Sequence, residues 1–197
     1  MSERFALTGP AEAGQEIKKS RFVAVAAPID SEAAAKAFVA AQADPGANHN
    51  CWAWRLGQTY RFSDDGEPSG TAGKPILQAI DGQNLDRVVV LVTRWFGGVL
   101  LGSGGLMRAY GGTAALCLRG AEKVPLIEMS TGEVACTFAD LARFQARLGN
   151  FPGMEMLCPR FTDDGAVLVL RFPSAATAEV AALVNDLSNG RVALKVL

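Results

Sequence analysis

The chain has 197 residues, 49% of them hydrophobic and 20% charged, with a formal net charge of −1. This length admits one large domain or two small ones, and the composition is that of a globular protein. Nineteen basic against twenty acidic residues exclude a large nonspecific field for nucleic acid, so only local basic patches are left for such a role.

Four widely spaced cysteines form no Cys-x-x-Cys pair, which points to reduced, buried thiols rather than structural zinc. No charged-then-apolar leader opens the chain and no apolar run reaches 18 residues. The expectation is a cytoplasmic protein without a membrane segment. Residues 1–14 contain Gly9, Pro10 and Gly14 and predict a weak strand and a turn. Glu16 to Ile29 is expected to be extended, with Phe22, Ala24 and Ala26 on one face and Val23 and Val25 on the other. Lys18, Lys19 and Arg21 suit a solvated strand edge, where lysine discourages edge pairing, or a partner surface. Ser31 is positioned to cap a helix through about Gln42, and Asp44-Pro45-Gly46 breaks it.

His49 to Leu56 reads as a strand with His49, Cys51, Ala53 and Arg55 on one face and Trp52, Trp54 and Leu56 on the other. A Cys–His pair on one face can supply an activated thiolate. The same spacing also suits a buried cysteine beside a hydrogen-bonded histidine. Asp64, Asp65 and Glu67 are the candidates for an orienting third group. They lie in Ser63 to Pro75, a stretch too rich in Gly, Pro and Asp for a regular element and long enough to be functional. These acids have three uses open to them: holding a hard cation, capping helices, or pairing with Arg94 and Arg108. Calcium-loop spacing is absent, and neither a metal nor a cofactor is expected. Thr71 is placed to cap a helix from about Lys74-Pro75 through Ile80.

Arg87 to Thr93 predicts a buried strand, and a helical pattern covers Gly105 to Arg119. Between them Gly97, Gly98, Gly102, Gly104 and Gly105 fall within nine residues. The run is neither a P-loop nor the dinucleotide fingerprint. Glycines here allow close helix–strand packing, or they let a ligand approach a helix N-terminus that favours anions. Arg94 and Arg108 bracket the turn, and Trp95 and Phe96 are available for stacking or partner contact. Tyr110 is expected in the core or with its hydroxyl at the loop, and Gly111-Gly112 implies a close neighbouring backbone.

Pro125 interrupts the pattern, placing a boundary between Gly120 and Ser130. Beyond it the chain reads strand 131–138, helix 140–148, strand 153–161, strand 166–172, helix 174–188 and strand 191–197. Ser174 is the expected cap of the second helix. This βαββαβ order is that of a ferredoxin-like domain, without the exposed Phe/Tyr motif of an RNA-recognition sheet.

The motifs Ser63-Asp64-Asp65-Gly66-Glu67-Pro68-Ser69-Gly70-Thr71-Ala72-Gly73 and Arg94-Trp95-Phe96-Gly97-Gly98, continuing to Leu106-Met107-Arg108-Ala109-Tyr110, resemble the YigZ/IMPACT family. Lys19-Ser20-Arg21-Phe22 and His49-Asn50-Cys51-Trp52-Ala53 extend the resemblance over roughly residues 15–120. It implies a two-domain α+β protein: residues 1–125 like domain 2 of ribosomal protein S5, and 126–197 ferredoxin-like. It also implies a link to translation, since eukaryotic members regulate a translation-control kinase through a ribosome-associated partner. The expected function is binding or regulation through loops 63–75 and 94–108, with RNA, the ribosome or a translation factor as partner. The competing expectation is a hydrolase-like enzyme built on His49, Cys51 and the acids of 64–67.

Overall fold

The structure is a computed structural model that describes residues 4–197. The chain divides into two compact units, the first ending at Leu126 and the second spanning Ile127–Leu197. The first contains β1 (Phe5–Leu7), β2 (Ala11–Ile17), β3 (Ser20–Pro28), α1 (Glu32–Gln42), β4 (His49–Leu56), β5 (Thr59–Ser63), α2 (Gly73–Asp81), β6 (Val88–Trp95), α3 (Ser103–Gly120) and β7 (Lys123–Pro125). Five strands form one antiparallel sheet in the order β2-β3-β6-β4-β5, and β1 pairs with β7 beside it.

The period-two pattern decides which side of the sheet each strand residue faces. Phe22, Ala24, Ala26, Cys51, Ala53, Val90 and Val92 pack under α2 and α3 in one core. Trp54 and Val89 face the other way and pack with Ala35 of α1 and Ile29. β6 runs down the middle of the sheet, covered on both faces, so an unbroken run of β-branched residues is what that position demands. Ser31 Oγ accepts from the Ala34 N–H at 3.1 Å and starts α1 as expected.

Several expectations are corrected. Glu16 to Ile29 is not one extended element: Lys18 and Lys19, with φ of 47° and 68°, turn it into the β2–β3 hairpin. No Asn-Gly or Asp-Gly pair announces that turn. β5 had no counterpart among the expected elements. Thr71 does not cap α2, because its hydroxyl donates to Pro68 O at 2.6 Å. α3 begins at Ser103, two residues before the expected start at Gly105, so Gly104 also belongs to its first turn.

The second unit contains β8 (Met129–Thr137), α4 (Phe138–Gly149), β9 (Glu155–Met156), β10 (Arg160–Phe161), β11 (Gly165–Pro173), α5 (Thr177–Ser188) and β12 (Lys195–Val196). Its sheet order is β10-β11-β8-β12, with β9 also on β11 and all pairs antiparallel. Phe144, Leu148, Val180 and Val184 of the helices close a core over Val134, Leu168, Leu170 and Phe172. The expected strand 153–161 is split around Pro159, which has no N–H for a ladder. Ser174 does not cap α5. It sits in a single 3-10 turn and its hydroxyl meets that of Ser130 at 2.8 Å. Exposed aromatics do occur in this unit: Phe138 and Phe161 stack with centroids 6.5 Å apart.

Two glycines that follow β6, one in the loop and one in α3, should respond oppositely to alanine. A Cβ on Gly97 would overlap the Lys19 carbonyl, whereas one on Gly104 would find nothing closer than the Arg108 guanidinium at 3.6 Å. Chemical denaturation should show Gly97→Ala losing about 2–3 kcal/mol. Gly104→Ala should be neutral or gain up to about 1 kcal/mol from helix propensity.

Candidate functional site

The register places Phe22, Arg94 and His49 in one row across β3, β6 and β4, at the end of the sheet from which both glycine-rich loops emerge. Being an even position of β6, Arg94 points under α3 and not into solvent, and it is only 5% exposed. Its guanidinium lies 5.5 Å from the Phe22 ring centre and 5.4 Å from that of Phe96. Nη1 donates to Glu67 Oε1 at 2.6 Å and Nη2 to Ser20 Oγ at 3.4 Å, while Nε has no partner among the described residues. Glu67, 8% exposed, also accepts from the Tyr110 hydroxyl at 2.7 Å. Tyr110 is therefore both things expected of it, a core ring edge-on to Phe22 and a hydroxyl tied to the loop.

The other two acids are also committed. Asp64 accepts from the backbone N–H groups of Gly70, Ala72 and Gly73 at 2.8–3.0 Å. It thus supplies the cap of α2 that Thr71 was expected to supply. Partial burial works against its charged form, but the three amides outweigh that and hold Asp64 below the usual carboxylate range. Asp65 accepts from the Asn50 N–H through its side chain, and its carbonyl lies 2.8 Å from His49 Nδ1. A carbonyl only accepts, so Nδ1 carries the proton. His49 Nε2 then faces Glu67 Oε1 at 3.8 Å. The acids of 64–67 therefore diverge toward amides, an arginine and a tyrosine. Among the described residues no three His, Cys, Asp or Glu groups converge on a point that could hold a metal ion.

Cys51 is fully buried, and its thiol donates to Asp64 O at 3.0 Å. Burial pushes the thiol up to about 12, and nearby Glu67, Asp65 and Asp64 push the same way against a lowering by the Tyr110 hydroxyl. A thiol so held does not supply a nucleophile at neutral pH.

What faces outward is the loop beyond Arg94. Trp95 turns to the opposite face of the sheet, where the Arg21 guanidinium lies 4.7 Å over its ring. The Phe96 N–H donates to Asn48 Oδ1 at 2.8 Å, leaving its ring 43% exposed. Leu100 is 84% exposed, and Val99 and Met107 are exposed with it. Gly97 packs on the Lys18-Lys19 turn, which brings those cations beside the loop. Gly98 and Gly102, with φ of 84° and 73°, supply the turns, and α3 starts at Gly102 without a side-chain cap. Arg108, exposed one turn into α3, has no ion-pair partner among the described residues. Val99, Leu100 and Met107 were not singled out from sequence. The signal was there: an apolar triplet, Val99-Leu100-Leu101, set between glycines where no periodic face could bury it.

An antiparallel sheet with helices on both faces, joined to a smaller α/β unit, defines a protein of mixed α+β class. The Impact N-terminal domain family model matches residues 18–118. An IMPACT family member from Thermus thermophilus is 45% identical over 179 residues, covering 89% of this chain and 97% of that one. The IMPACT family member YigZ of Escherichia coli is 40% identical over 197 residues, covering 94% and 93%. A crystal structure described as that of a hypothetical protein superposes with a TM-score of 0.70 at 35% identity, over 99% of this chain and 97% of that one. The chain belongs to the IMPACT family.

Removing one partner of a buried pair leaves the other charge stranded, so Glu67→Ala and Arg94→Ala should each cost about 3–5 kcal/mol in denaturant unfolding. Arg108→Ala should stay within about 0.5 kcal/mol of wild type.

Asp64→Ala should cost about 1–2 kcal/mol at pH 7 through the lost cap. The Asp64 contribution is present above its unfolded pKa and is lost as pH falls through the lower folded one. The gap between wild type and variant should therefore close below about pH 4.

Proposed function

We propose that the protein is a translation-associated regulatory binding protein whose docking element is the loop between β6 and α3. The observation that carries this reading is the exposed apolar set Phe96, Val99, Leu100 and Met107, held on a buried polar anchor. Burying such a set against a partner is the main gain available to it. The backbone of the Lys18-Lys19 turn meets Gly97, and exposed Arg108 follows Met107, which favours a partner with an acidic rim. The loop 63–75 acts from behind, with Glu67 holding Arg94 and Arg94 backing the Phe96 ring. Arg94 is thus a positioning residue in this reading, because its charge is already engaged by Glu67.

A protein component of the translation apparatus fits the aliphatic character of Val99, Leu100 and Met107 better than RNA, whose bases stack on aromatic rings. RNA contact has one observation in its favour, Arg108, without an ion-pair partner among the described residues, beside the uncapped start of α3. The hydrolase-like alternative has no activated nucleophile in Cys51. The family's link to translation and the expected cytoplasmic setting support the reading, and no helix among the described residues is long and apolar enough to cross a membrane. The first unit would take the form of domain 2 of ribosomal protein S5. The second, with its βαββαβ order, would be ferredoxin-like.

Co-sedimentation with ribosomes across a salt series tests this. Leu100→Asp should abolish pelleting while the melting temperature stays at the wild-type value, and Arg108→Ala should weaken it only modestly. If Arg108→Ala instead flattens the salt dependence by about one charge and Leu100→Asp does little, the contact is with RNA. Undiminished pelleting of Leu100→Asp and Phe96→Ala, or no pelleting of the wild type, removes the loop as the docking element.

A further inference from the structure

We propose that the free edge of β5 docks an extended, acidic segment of a partner protein, which adds to the sheet as a sixth strand. This site is separate from the loop after β6 and does not rest on the reading above.

β5 is the last strand of its sheet. The direction of its backbone groups follows from the register. Ile29 N–H donates to Arg87 O at 2.8 Å in continuation of the β3–β6 pairing, so odd residues of β6 bond to β3 and even ones to β4. Carried across β4, the alternation bonds Trp52, Trp54 and Leu56 to Ser63, Arg61 and Thr59. Tyr60 and Phe62 then turn their N–H and C=O groups away from the sheet. Among the described residues these four groups have no hydrogen-bond partner in a turn, loop or cap.

The aromatic side chains beside that edge are also exposed. Tyr60 is 50% exposed and Phe62 40%, both on the face that carries Ala53 and Arg55. Arg55 holds its guanidinium 5.2 Å from the Tyr60 ring and is fixed there by two bonds to Asp81, at 2.6 and 3.0 Å. On the opposite face Arg61 lies 3.6 Å from Glu32, which also binds Lys36 at 2.9 Å. Two cations share one carboxylate there, leaving excess positive charge beside the edge. A free edge with apolar side chains is a template for strand addition, in which main-chain bonds give affinity and alternate side chains give specificity.

The same charge chooses the occupant. In a two-fold pairing of β5 with a second copy, matching Tyr60 to Phe62 sets Arg61 directly opposite its own equivalent, which is unfavourable. A strand with an acidic residue opposite Arg61 and apolar residues opposite Tyr60 and Phe62 satisfies both faces and all four backbone groups.

Fluorescence anisotropy with the full chain tests this, using a fluorescein-labelled peptide that alternates valine and glutamate over eight residues. It should bind saturably, and the same peptide with lysine for glutamate should bind at least about tenfold more weakly. Phe62→Ala should weaken binding, and Phe62→Pro should weaken it about tenfold more, because the outward N–H is lost while the β4 ladder keeps its bonds. Arg61→Glu should reverse the preference between the two peptides. A third peptide, N-methylated at alternate residues so that it cannot bond to the edge, should fail with the wild-type protein, which removes any dependence on a variant folding. The proposal is overturned by no saturable binding of the acidic peptide, by equal binding of the lysine peptide, or by undiminished binding of the N-methylated one. Light scattering that shows a dimer abolished by Phe62→Pro would overturn it too, assigning the edge to a second copy.

Discussion

The charge pair of Glu67 and Arg94 is the constraint on which the working end of the first unit depends. Both groups are nearly stripped of water, so each relies on the other and on the few donors and acceptors that reach them. Glu67 Oε1 takes the Arg94 guanidinium and the Tyr110 hydroxyl at once. One atom thereby ties the acidic loop to the central strand of the sheet and to α3. The guanidinium is boxed between Phe22 and Phe96, so the orientation of an exposed ring is set by a buried charge.

The rest of the acidic loop is fixed by the same economy of polar groups. Asp64 gathers three amides around the start of α2, and Asp65 closes onto the backbone of β4. Carboxylates used this way are structural: they satisfy donors that would otherwise be buried bare. The three acids are thereby committed to amides, an arginine and a tyrosine. Burial, with the nearby carboxylates pushing the same way, holds the Cys51 thiol up at about 12.

A loop anchored so firmly holds its exposed apolar side chains in place, so that in the proposed docking role little ordering entropy would remain to be lost. Gly97 against the Lys18-Lys19 turn extends the anchoring to the β2–β3 hairpin. The apolar set and the basic turn are therefore held side by side although nearly eighty residues separate them in the chain.

Much of this was legible in the sequence. The alternation in β3 and β4, the unbroken β-branched run of β6, the Ser31 cap and the glycine cluster before α3 each state a local rule that the fold obeys. The family motifs, too, are continuous stretches of chain. What only the tertiary structure decided is which partner each polar group takes. Arg94 and Arg108 looked equivalent as flanks of one turn, yet strand register buries the first under α3 and helix phase exposes the second. Thr71 was the nearer cap for α2, but Asp64 reaches the same amides across the loop. The β2–β3 turn carried no turn motif of its own, and β5, exposed along nearly all its length, is fixed by its pairing with β4. Local periodicity follows from backbone geometry within a few residues, whereas the fate of a charge depends on what burial and distance bring beside it from elsewhere in the chain.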